Sequence, residues 1–94
     1  MALFVLYCVD KPNSLELRMA TRQAHLDYAG QFGDALKLAG PLLNDQGEMA
    51  GSLVVLDVAD KAAAQAFTDN DPYALAGLFE RVEVKGFRAV VGRL

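Results

Sequence analysis

The run Leu3-Phe4-Val5-Leu6-Tyr7-Cys8-Val9 stops abruptly at Asp10-Lys11-Pro12-Asn13. Short, rich in Val and aromatics and closed by a turn signal, it reads as a buried strand rather than a helix. It lacks the basic region and small-residue cleavage site of a signal peptide. It is also far shorter than the ~20 apolar residues that span a bilayer. Side chains alternate across a strand, so its two faces are Leu3, Val5, Tyr7, Val9 and Phe4, Leu6, Cys8, Asp10. Both are apolar almost to the end, which predicts a sheet covered on both sides. Cys8 then reads as a small core residue.

Working outward, Asn13 is a candidate N-cap, with Glu16 three residues on completing a capping-box-like start. A helix is expected from Ser14 to about Leu36, with an apolar stripe of Leu15, Met19, Leu26, Ala29 and Phe32. Gly30 and Gly33 interrupt its end. Leu36–Leu43, kinked at Gly40-Pro41, and Met49–Val58 form a hairpin around Asn44-Asp45-Gln46-Gly47. Asp60 caps a second helix from Lys61 to about Thr68. Asp71 precedes Pro72 and caps a short helix, Tyr73–Leu78. Phe79–Val91 is the last strand, with a bulge expected at Gly86.

The order is strand, helix, strand, strand, helix, strand. That pattern predicts an α+β, ferredoxin-like β-α-β-β-α-β sandwich with a four-stranded antiparallel sheet. Both helices occupy one face, so the second face exposes an apolar patch unless a partner covers it. The expectation is a homodimer packed sheet to sheet.

The 94 residues read as one domain, 1–94, and 53% hydrophobic content supplies a core. A net charge of −3 argues against an electrostatic grip on nucleic acid. With no run long enough for a membrane span, a cytoplasmic protein is expected. One Cys excludes an internal disulfide, and one His with one Cys makes a zinc site improbable. The glycines form no phosphate-binding motif.

The candidate chemistry lies in Arg18-Met-Ala-Thr-Arg22-Gln-Ala-His25. Positions 18, 22 and 25 share one helix stripe, so two permanent cations accompany the chain's single histidine. From the residues alone, the arginines read first as a solvated face, His25 as a surface or boundary residue, Asp71 as a helix cap and Asp10 as a strand end.

Over nearly its whole length the chain resembles the YCII-related (YciI-like) family. The residues that carry the resemblance are Tyr7-Cys8-Val9-Asp10 with Pro12-Asn13, and Arg18-x-x-x-Arg22-x-x-His25-Leu26. Ala39-Gly40-Pro41, Gly51-Ser52, Asp71-Pro72-Tyr73 and Val84-x-x-Phe87 follow. The ordered set is more specific than any piece. The resemblance implies a ferredoxin-like fold that dimerises in the manner of dimeric α/β barrels, and a His-Asp dyad in a pocket. Carried over, His25 matches the histidine and Asp71 is the best match to the aspartate, with Asp10 a second candidate. Arg22 and Ser52 match polar positions of the same pocket. One relative is a dehydrochlorinase of a chlorinated hydroxyquinol.

What this implies is a small isomerase or lyase acting on a cyclic or carbonyl-bearing molecule. The carboxylate fixes the imidazole tautomer, Arg22 and Arg18 hold an anionic group, and Tyr73 adds a donor or packs. No metal or organic cofactor is required. The rival reading is a non-catalytic, small-molecule-binding or regulatory dimeric module.

Overall fold

The structure is a computed structural model that describes residues 2–94; Met1 lies outside the described residues. The strands are β1 (Ala2–Asp10), β2 (Leu36–Leu43), β3 (Met49–Val58) and β4 (Phe79–Phe87). The helices are α1 (Leu15–Gly30), α2 (Lys61–Asn70) and the single turn α3 (Pro72–Leu75). The sheet order is β2-β3-β1-β4 with every pair antiparallel, which is the ferredoxin-like α+β arrangement.

Register decides which residues meet the helices. Leu6 lies opposite Val54 on one side and Val84 on the other, and Cys8 lies opposite Ser52 and Val82. These positions share a face, and with Leu56 they pack against Ala29 of α1 and Ala64 and Phe67 of α2. Tyr28, Phe32 and Phe67 stack edge-on or tilted around that core, and the Tyr28 hydroxyl donates to the Phe67 carbonyl at 2.8 Å, tying α1 to α2. Burial places Cys8 in this core and pushes its thiol up to about 12, with Asp71 adding to the rise. On the opposite face Val5 meets Val55 and Tyr7 meets Leu53. Tyr7 is 38% exposed there and Leu38 of β2 52%.

The structure departs from the sequence expectations in five local places, one being that α3 ends at Leu75 rather than Leu78. No capping box forms. Asn13 takes a left-handed backbone (φ 59°), a conformation asparagine tolerates, and Ser14 becomes the N-cap without a side-chain cap bond. Helix α1 ends at Gly30 rather than near Leu36; Gly33 then turns left-handed (φ 55°) and a short 3-10 turn, Gly33–Ala35, leads into β2. β4 ends at Phe87, opposite Leu3 of β1, rather than at Val91. Phe4 pairs regularly with Gly86, and the register shift falls between Val9 and Asp10 instead, leaving Glu80 as the extra residue on β4.

The largest correction concerns the face of α1. Leu15, Met19 and Leu26 are exposed, whereas Arg18, His25 and Ala29 are buried. Of the expected polar stripe Arg18 and His25 face the sheet while Arg22 is exposed, and of the expected apolar stripe only its C-terminal part, Ala29 and Phe32, packs on the core. Arg18 and His25 each find a carboxylate there, while the sheet end opposite Leu15 and Met19 opens to solvent. Among the described residues no helix is long and apolar enough to cross a membrane.

Candidate active site

Asp10 ends β1 on the helix-facing side, at the level of the first turns of α1. Its carboxylate takes two hydrogen bonds from Arg18, Nε to Oδ2 at 2.7 Å and Nη2 to Oδ1 at 3.0 Å. The same Nη2 donates to Ser52 Oγ at 2.7 Å. Ser52 arrives from β3, opposite Cys8. Arg18 is only 2% exposed. Burial opposes its charge, but the Asp10 bonds and charge outweigh that, and its pKa is raised above the ordinary arginine value. A two-point fork on a carboxylate is the geometry in which arginine tolerates burial.

Two turns along α1, His25 Nδ1 lies 2.8 Å from Asp71 Oδ1. Asp71 sits between α2 and α3, where its side chain caps α3 by accepting the Tyr73 backbone N–H at 2.9 Å. That turn inserts Tyr73 between the Arg18–Asp10 pair and the His25–Asp71 contact. Its ring stacks on His25, with centroids 4.2 Å apart and planes 16° off parallel, and the Arg18 guanidinium carbon lies 4.5 Å from the ring centre. A cation over a π face is attractive, so Arg18, Tyr73 and His25 form one stack with a carboxylate at each end. Tyr73 is buried, which raises its pKa, and the Arg18 charge only partly opposes the rise. The phenol is neutral at neutral pH.

The stack borders a cavity of about 190 Å³ between α1 and the β2–β3 side of the sheet. Arg22 and Leu26 of α1 line it with His25, Ser52 and Tyr73, and Ala39, Gly40 and Pro41 of β2 close the far wall. Seven residues singled out in the sequence therefore lie in one neighbourhood. Five of them (Arg18, Arg22, His25, Ser52 and Tyr73) line the cavity, and Asp10 and Asp71 stand behind it. Of the two candidate carboxylates, Asp71 contacts His25 and Asp10 contacts Arg18. Sequence reasoning missed the apolar contribution of Met49 and Val54, whose role as β3 wall residues follows only from the register. A larger, open groove of about 860 Å³ runs past the end of β1 and shares Met49 with the cavity.

The chain is thus a ferredoxin-like α+β domain with a cavity between its first helix and its sheet. The chain belongs to the YCII-related domain family, which matches residues 2–88. It is 42% identical to "Protein YciI" of Escherichia coli O6:H1, over 94% of this chain and 98% of that protein. A Haemophilus influenzae protein is 34% identical, over 93% and 97%. Among solved structures it is similar to 5-chloro-2-hydroxyhydroquinone dehydrochlorinase (TftG) from Burkholderia phenoliruptrix AC1100. That structure is a complex with 2,5-dihydroxybenzoquinone; the TM-score is 0.84 at 31% identity, covering 92% of this chain and 93% of the other. An antibiotic biosynthesis monooxygenase aligns with a TM-score of 0.59 at 10% identity, a likeness of fold alone.

Proposed function

We propose that this chain is a small, cofactor-independent enzyme of the isomerase or lyase kind, in which His25 is the general acid/base and Asp71 its partner. The observation that carries this reading is the 2.8 Å contact between His25 Nδ1 and Asp71 Oδ1 beside a cavity that His25 itself lines. Asp71 holds the proton on Nδ1, which leaves Nε2 as the base. Nε2 takes a proton from a C–H or O–H of the bound molecule. The imidazolium so formed is balanced by the Asp71 carboxylate. Returning that proton to a different atom completes an isomerisation; releasing a leaving group as the electron pair moves completes an elimination. Arg18 and Ser52 build the floor of the cavity and position Tyr73. The dehydrochlorinase likeness supports a ring or carbonyl substrate. The functional unit is read as a homodimer through the open sheet face.

The test is proton exchange. Wild type and His25→Gln are incubated in deuterated buffer with a panel of enolisable cyclic and open-chain carbonyl compounds, and with 5-chloro-2-hydroxyhydroquinone, while deuterium uptake and chloride release are followed. Wild-type turnover that His25→Gln lacks is the expected result. Equal rates in the two proteins, or no turnover by either, sink the reading.

A further inference from the structure

The charged groups around the cavity are not all paired. Arg18 is held by Asp10, and His25 contacts Asp71. Arg22 lines the same cavity and makes no ion pair or side-chain hydrogen bond among the described residues. Its helix supplies none. The positions three and four residues away are Met19, His25, Arg18 and Leu26, so no acid lies at pairing distance along α1. The wall across the cavity supplies none either, since Ala39, Gly40, Pro41, Met49 and Val54 are uncharged. Arg22 is therefore a cation without a direct partner in the cavity lining, while the Asp71 carboxylate stands behind His25 and outside that lining.

Tyr73 provides a second, independent pointer. It is 2% exposed and lines the cavity. The Arg18 guanidinium, whose carbon lies 4.5 Å from the centre of the tyrosine ring, can only donate. Among the described residues nothing accepts the phenol's own proton, and this oxygen is not sealed away from the cavity. A phenol that opens onto the cavity and has no protein acceptor is free to donate to a molecule bound there.

We propose that the cavity selects small organic monoanions, with the anionic oxygen of a carboxylate or acidic enol received by Arg22 and the Tyr73 hydroxyl. Arg22 is the residue that sets this charge preference. The proposal rests on reading the cavity as the substrate site, and it deepens that reading by naming the substrate's charge. The remainder of such a molecule lies against Leu26, Pro41, Met49 and Val54, which suits a compact apolar body.

The experiment uses the intact chain and two probes of nearly equal size, benzoate and benzamide. Each is titrated while the methyl resonance of Met49 and the ring resonance of the single histidine are followed by NMR. Benzoate is expected to bind about tenfold or more tightly than benzamide, as a charge-assisted contact should give. Arg22→Gln, a change at an exposed position, is expected to bring the two within about twofold. His25→Gln, followed through Met49, is expected to keep the benzoate preference, so loss of the acid/base reading leaves this one standing. Equal affinities in wild type, no response to either probe, or a preference that survives Arg22→Gln overturns the proposal.

Discussion

One oxygen of Asp71 serves two partners: Oδ1 lies 2.8 Å from His25 Nδ1 and accepts the backbone N–H of Tyr73 at 2.9 Å. The helix cap and the contact to the imidazole are therefore one feature. The turn that Asp71 caps also delivers Tyr73 onto His25.

Asparagine separates the two duties. Its side-chain oxygen can still accept both bonds, but it carries no charge to balance an imidazolium. Asp71→Asn should therefore keep folding stability within ~1 kcal/mol, whereas Asp71→Ala should lose ~1–2 kcal/mol with the cap. Proton-exchange turnover should fall by about a hundredfold or more in both. Urea melts and exchange rates on the same samples check this; an Asp71→Asn protein with wild-type rates would show that the charge has no part in the chemistry.

The Arg18–Asp10 pair should dominate stability at this end of the fold. Removing Asp10 strands a buried guanidinium, and such broken pairs cost ~3–5 kcal/mol. Ser52→Ala removes one bond to a charged group and should cost ~1–2 kcal/mol. A double-mutant cycle over Asp10→Ala and Arg18→Met should show coupling above ~1 kcal/mol, because each single change leaves the other charge unpaired. Additive single effects would contradict a bidentate pair in solution.

These two networks explain why strands were easier to read from the sequence than the face of α1. Leu3–Val9 and Leu53–Leu56 carry their burial in local composition, and the β-α-β-β-α-β order follows from turn signals. The facing of α1 does not. Its apolar residues Leu15, Met19 and Leu26 predict one inward stripe, yet Arg18 and His25 point inward. Their partners stand 8 and 46 residues away. The desolvation of two polar side chains is offset by contacts that no helical periodicity encodes. The candidate residues themselves were legible as a spaced pattern; which acid meets which base was not.

Gly51 is a further test of the packing behind the cavity. A Cβ built there runs into the Cys8 backbone carbonyl, which cannot move without breaking the β1–β3 ladder. Gly51→Ala should destabilise by ~1–3 kcal/mol, the usual range for overpacking. It should also loosen Ser52, seen as a shift in the Met49 and His25 resonances. Gly40 has open space around it, so Gly40→Ala should leave thermal stability nearly unchanged. Calorimetry of the two variants gives the comparison.

The buried thiol of Cys8 makes a signed prediction about pH. In the fold its pKa stands at about 12, against an ordinary value of 9.0. Between those values the unfolded chain has lost a proton that the native chain keeps. The unfolded state then binds fewer protons, so stability falls as pH rises. The contribution is fully present below pH 9 and is lost through the window up to about 12, at ~1 kcal/mol per pH unit. Denaturation midpoints at pH 8 and pH 10 should therefore converge in Cys8→Ala relative to wild type. An identical pH drop in both proteins would assign the loss to other groups.

The open sheet face yields the last prediction. Val5, Tyr7, Leu53 and Leu38 lie on the side away from the helices, and the two most exposed of them, Tyr7 and Leu38, are positions where solvent gains nothing from an aromatic or a leucine. Across β4 the same face carries Arg81, Glu83 and Lys85, so the apolar centre has a charged rim on one edge. An apolar centre with a polar rim is the composition of an interface. If two copies pack there, the 10.1 kDa chain should sediment at twice its mass at low micromolar concentration. Tyr7→Lys places a charge at the centre of that face, beside Leu53 and opposite Glu83. It should weaken association by about thirtyfold or more, as loss of a central aromatic anchor does. Its circular dichroism should stay unchanged, because Tyr7 contributes little to the helix-side core. Leu38→Lys, farther toward the β2 edge, should have a smaller effect in the same direction. Wild-type protein that sediments only as monomer would remove the dimer. It would leave the His25–Asp71 contact standing, since both residues belong to the same chain.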